Sequence, residues 1–168
     1  MSSLNMHTAT VPTCIRALKS LAAILEKAAA HAEARKINPA VLLGTRLFPD
    51  MLPLAMQIHI ANDIAQGGAA RLAGAPVPTF EGKERSFAEW IAASRATIAY
   101  LESLPAAQFE GSEDRTITWQ TRSSTKSMQG TAYLFNHVLP NVFFHVATAY
   151  DILRQSGLQI GKADYLAA

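Results

Sequence analysis

The chain has 168 residues and a mass of 18.1 kDa, the size of one domain spanning 1–168. With 49% hydrophobic and 17% charged residues it is neither disordered nor a solvating tail. A formal charge of +2 gives no basic footprint for nucleic acid, the single cysteine (Cys14) excludes an internal disulfide, and no apolar run reaches the ~20 residues that cross a bilayer.

From Leu4 to Lys36, apolar residues recur at Val11, Cys14, Ile15, Leu18, Leu21, Ala22, Leu25, Ala28, Ala29 and Ala32. Spacings of three and four predict a long amphipathic helix. Pro12 points to a regular helix beginning only near that residue, after a looser turn. The absence of acids before Glu26 also fits a transit peptide, but the period runs through Leu25, Ala28 and Ala32, beyond any cleavage point. An ordinary first helix is therefore expected. With no secretory signal pattern, a cytoplasmic location is expected as well.

Asn38-Pro39 reads as an N-cap and first helical residue of a short turn over 39–43, ended by Gly44. Asp50 is expected to cap a second long helix, with Pro53 in its first turn. Its seam is Met51, Leu54, Ile58, Ala61, Ala65, Gly68 and Leu72. Gly67-Gly68 marks either a kink or a close helix contact. Residues 73–85 hold Gly74, Pro76, Pro78 and Gly82 and read as a long connection. Ser86 and Glu89 form a capping box for a third helix with the stripe Phe87, Trp90, Ile91, Ser94, Ile98, Leu101 and Leu104, stopped by Pro105.

Between Arg115 and Met128 the period changes to two: Ile117, Trp119 and Thr121 against Thr116, Thr118 and Gln120. This predicts a small β-hairpin, turning at Arg122-Ser123-Ser124 and returning over Thr125 to Met128. A last helix is expected from Gly130 to Gln155, bent at Pro140 and closed by Gly157. Its seam, Leu134, Val138, Asn141, His145, Thr148, Ile152, is polar in the middle. Four amphipathic helices with one long link make an all-α four-helix bundle with a hairpin before the last helix.

Among the five histidines, His7 and His31 read as surface residues, and periodicity leaves the direction of His59 open. His145 lies on the buried seam. His137 precedes it by eight residues, about 12 Å of helix, too far to share a metal with it. Asn141 and His145, four apart, can reach one spot. Tyr133, Tyr150, Asp50, Lys162 and Asp164 are further candidates for a cavity wall, against plainer readings as edge aromatics, a cap and a C-terminal turn. Cys14 reads as core. No phosphate-binding glycine loop, nucleophile elbow or HExxH is present.

The segments RLFPDMLPL (Arg46 to Leu54), QIHIAND (Gln57 to Asp63), LPNVFFHVATAYDILR (Leu139 to Arg154) and GLQIGKADYL (Gly157 to Leu166) resemble the DinB/YfiT-like superfamily. The closer resemblance, over essentially the whole chain, is to a bacterial family of unknown function within it. The resemblance implies a left-handed four-helix bundle, usually dimeric. In metal-binding members, one histidine of the second helix and two histidines four apart in the fourth hold a divalent ion. Carried over, these places fall on His59, Asn141 and His145. The middle one is an amide where zinc or nickel favours imidazole.

Three functions are expected from these observations. One is a binding module that holds a small molecule at Asn141, His145, Thr148 and Tyr150. Another is a divalent-metal (Zn or Ni) hydrolase or thiol transferase, implied by the resemblance. A third is a structural or interaction protein whose polar stripe fixes helix register. Exposure of Trp90 or Trp119 on a monomer, together with the resemblance, leads to the expectation of a homodimer, with no nucleic-acid or membrane partner.

Overall fold

In the computed structural model the described residues are 4–79, 81–83, 86–121 and 123–166. Asn5 starts the first helix, α1 (Met6–Arg35), by accepting from the Thr8 N–H while the Thr8 hydroxyl accepts from the Asn5 N–H. This capping box corrects the expected start near Pro12. The first turns are anchored before the proline, which lies inside the helix, and Val11 and Cys14 beside it are buried. Lys36, in the left-handed conformation at φ 55°, ends it.

The short helix α2 (Pro39–Leu43) is capped by Asn38 as expected. The next helix, α3 (Leu54–Ala73), follows Pro53 directly. Asp50 is not its cap but an exposed residue of the preceding turn. The Leu54 N–H is instead taken by the Thr45 carbonyl at 2.9 Å, so the incoming loop does the work expected of Asp50. The Ser86–Glu89 capping box opens α4 (Phe87–Ser103) as its sequence predicts. A 3-10 turn follows Pro105 at Ala106–Phe109.

Strands β1 (Thr116–Gln120) and β2 (Thr125–Gln129) pair antiparallel, with Ile117 opposite Met128 and Trp119 opposite Lys126. Ile117 and Trp119 are buried, and their neighbours Thr116, Thr118 and Gln120 face out. Arg122 of the expected turn lies outside the described residues.

The last long helix is three pieces in one path: α5 (Gly130–Tyr133), a π-helical turn (Leu134–Val138) and α6 (Leu139–Gln155). The Leu139 N–H reaches back five residues to the Leu134 carbonyl. Pro140 has no N–H, and in a regular helix its ring would collide with the carbonyl four residues earlier. The wider turn just ahead of it makes room. The irregularity expected at Pro140 thus lies one turn before it. A final turn, α7 (Lys162–Leu166), is the last element among the described residues.

The long helices pack as α1 against α4 and α6, and α3 against α6 and α4. Helices α4 and α6 therefore lie across a diagonal. The core draws Leu18, Leu21 and Leu25 from α1, Ile58 and Leu72 from α3, Trp90 and Leu101 from α4, and Val142 and Ile152 from α6. Each such side chain contributes about 1.5–3 kcal/mol on burial. Gly68 marks a close contact, not a kink: a Cβ there would meet both Val138 methyls at 2.7 Å. Trp90 and Trp119 are both buried, so neither supplies the exposed patch expected of it. Among the described residues, no helix is long and apolar enough to cross a membrane.

Candidate functional site

Helices α3 and α6 meet at a polar pair. His145 Nδ1 lies 2.6 Å from Gln57 Oε1, and the Gln57 Nε2 donates to the Leu52 carbonyl at 3.0 Å. The amide is thus oriented by the loop before α3. Its oxygen can only accept, so the imidazole proton sits on Nδ1 and Nε2 keeps its lone pair. Gln57 and His145 are both buried, and the exposed Phe144 ring meets the imidazole edge-on at 5.2 Å between centroids.

Burial holds the His145 pKa below its ordinary value of 6.5, so the ring is neutral at pH 7. The unfolded chain then takes up a proton near pH 6.5 that the folded chain refuses until lower pH. The stabilisation is full above about pH 6.5 and is lost as pH falls toward the folded value. Urea midpoints should therefore drop between pH 7 and pH 5, and the drop should be shallower in His145→Ala. An equal drop in both proteins would assign the effect elsewhere.

Thr148 is buried one turn further along the same face of α6. Asn141 is only half-buried. Its Nδ2 donates to the His137 carbonyl at 2.5 Å and lies 3.5 Å from His137 Nδ1. It therefore bonds back across the turn that contains Pro140, not to His145, which is engaged by Gln57. Tyr150 departs from the expected group: it packs edge-on against Tyr165 of α7, at 6.2 Å between centroids. Five residues from His145 is about 140° around the helix, which explains its separate face.

His59 is two residues past Gln57, about 200° around α3. Its ring faces Trp90 of α4 at 6.4 Å between centroids and lies under Gly82, where a Cβ would come within 2.6 Å of Nδ1. His59 and Gln57 of α3 thus address the two helices of the diagonal, α4 and α6. Among the described residues, no three His, Cys, Asp or Glu side chains gather in a group that could hold a metal.

A second constellation escaped the sequence reading. Trp119 of β1, Tyr133 of α5 and His137 of the π turn form a triangle of rings, with centroids 4.6, 4.8 and 5.3 Å apart. The Arg71 guanidinium, folded back over Gly67, donates to the Tyr133 hydroxyl at 3.3 Å. Burial raises the Tyr133 pKa, against the influence of Arg71. Burial, then Lys126 and Arg71, lower that of His137. The triangle pins the hairpin to the last helix. Tyr133 is thereby a core residue, while Asp164 binds the Gly161 N–H and pairs with Lys27, the plainer C-terminal reading. Lys162 and Asp50 are exposed. Burial pushes the Cys14 thiol up to about 12, so it is no nucleophile.

Helix order, hairpin and the α3–α6 contact describe a DinB-like helical domain. The chain is similar to a DinB family member protein from Shewanella denitrificans, whose crystal structure it matches with a TM-score of 0.89 at 38% identity, over 96% of this chain and 92% of that one. Residues 6–166 match the domain of unknown function DUF1993, and the chain belongs to that DinB-like family of unknown function. A search of curated proteins finds no match.

Proposed function

We propose that this DinB-like four-helix bundle is a cytoplasmic binding protein that holds a small molecule against α6, with His145 Nε2 accepting a hydrogen bond from it. The supporting observation is the Leu52–Gln57–His145 chain, which fixes the imidazole's orientation and tautomer. Such orientation lowers the entropic cost of recognising a polar group. Thr148 and Asn141, one turn to either side, supply further polar contacts, with Asn141 the more accessible.

The test is a thermal-shift panel of small proton donors: phenols, carboxylic acids and primary amides. A ligand at 100 times its Kd should stabilise the wild type by about 2.7 kcal/mol. The response should vanish in His145→Ala and weaken in Gln57→Leu. No stabilising compound, or equal responses in all three proteins, would defeat this reading.

The metal-dependent alternative does not fit the residues present. A histidine held through Nδ1 is the usual arrangement behind a metal ligand. The other two members implied by the resemblance are directed elsewhere, Asn141 to a backbone carbonyl and His59 to α4. A hydrolase or thiol transferase built on a three-donor ion therefore lacks its donor set. Zinc or nickel should leave the melting temperature unchanged; a rise abolished by His145→Ala would restore the metal reading.

We also infer a homodimer, supported by exposed Val41, Phe48 and Phe144 rather than by the buried tryptophans. Light scattering should give twice 18.1 kDa at micromolar concentration. The monomer mass would refute the inference.

A further inference from the structure

We propose a second binding site, for an organic cation with an aromatic or short alkyl body, in the cavity between the start of α1 and the loop after the 3-10 turn. The cavity measures about 580 Å³, within the range of small-molecule sites. Its wall combines apolar Met6, Phe109 and Phe135 with acidic Glu110 and Glu113. Phe109 is buried and meets the His7 ring edge-on at 5.2 Å, and Phe135 is about half exposed and can offer its face to a cation.

Both carboxylates are exposed and, among the described residues, neither is in an ion pair. The obvious competitors for them are already engaged. Arg115, the nearest cation along the chain, donates to the Leu72 and Glu110 carbonyls. The N-terminus of α1 is closed by its own Asn5–Thr8 box. The acidic loop is also held in place. Arg115 Nη2 takes the Glu110 carbonyl at 3.5 Å, the Thr131 N–H and hydroxyl take the Glu113 carbonyl at 3.0 and 3.2 Å, and Ser112 is buried between them. The backbone that carries two negative charges is thus held beside an apolar wall. That pattern favours a cation carrying hydrophobic surface over an anion or a neutral molecule of the same shape. Phe135 and His145 are ten residues apart, about 15 Å of helix, so this site is independent of the one proposed above.

The test titrates 2-phenylethylammonium, 2-phenylethanol and 3-phenylpropionate into the protein at millimolar concentration, followed by amide NMR. The ammonium should give saturable shifts at His7, Ala9 and Gly111, the alcohol weaker ones and the carboxylate none. Glu110→Gln/Glu113→Gln, both at exposed positions, should weaken the ammonium by roughly tenfold or more. Added salt should weaken it in the wild type more than in the double variant. His145→Ala should bind it unchanged, which separates this outcome from the fate of the α6 site. Absence of saturable ammonium binding, equal affinity for the three probes, or full affinity in the double variant would overturn the proposal.

Discussion

Gly130→Ala should be the most damaging small substitution in this protein. A Cβ at Gly130 would lie 1.7 Å from the Ser112 carbonyl oxygen and 2.8 Å from its carbon. The obstacle is backbone, and it cannot turn aside as a side chain would. Gly130 is also held from behind, since its N–H donates to the Arg115 carbonyl at 2.9 Å. The junction of β2 with α5 and the 110–115 loop must therefore separate. Overpacking of this kind costs at least about 3 kcal/mol, which for a chain of this size lowers the melting temperature by roughly 10 °C. Gly161→Ala is the control: nothing lies within 4 Å of its added Cβ, and the melt should hardly move. Calorimetry on the two variants checks this, and equal melts would refute the contact.

His145→Ala should be nearly as costly. It removes a buried ring and strands Gln57 Oε1, itself inaccessible to water. The unpaired acceptor costs about 1–3 kcal/mol, and the cavity raises the loss to roughly 2–4 kcal/mol. Gln57→Leu alone strands the Nδ1–H of the imidazole instead. The double variant should therefore lose less than the sum of the two, since neither partner is left waiting for the other. His59→Ala combined with His145→Ala should be additive to within about 0.5 kcal/mol, because the two rings share no contact. Denaturant unfolding of the wild type, the three single variants and the two double variants measures both couplings. Strong non-additivity between the histidines would mean that they meet after all.

How much of the structure was legible in the sequence depended on the range of each interaction. The helices were legible because a 3.6-residue period is local, and the Ser86–Glu89 box because its two members are three residues apart. The hairpin showed itself by the switch to period two at Ile117 and Trp119. His145 stood out as polar on an apolar seam. Its partner did not: Gln57 is 88 residues away, and only the tertiary packing of α3 on α6 brings them together. One signal was present. Gln57 lies three residues after Leu54 and four before Ala61, on the buried face, where an amide needs a partner. The resemblance drew attention to His59 instead, two positions along and on another side of the helix. Asp50 looked like a cap because the loop carbonyl of Thr45, which takes the same role, is invisible in a local pattern. The aromatic triangle joins a strand, a helix and a π turn, and no single periodicity spans those three.

The widened turn at Leu134–Val138 acts as a phase slip. A single extra residue in a helix rotates everything beyond it by about 100° relative to everything before it. The Tyr133 ring that holds the hairpin and the His145 ring that meets Gln57 are therefore set at angles that no uninterrupted helix of this length would give them. Deleting one residue within 134–138 would remove the wide turn and bring the Pro140 ring back against the carbonyl four residues earlier. It would also turn the hairpin, with Trp119, out of register with the half of the helix that contacts Gln57. The rotation between the two ends of this helix is thus set by the residue count of the 134–138 turn and not by the sequence of either end.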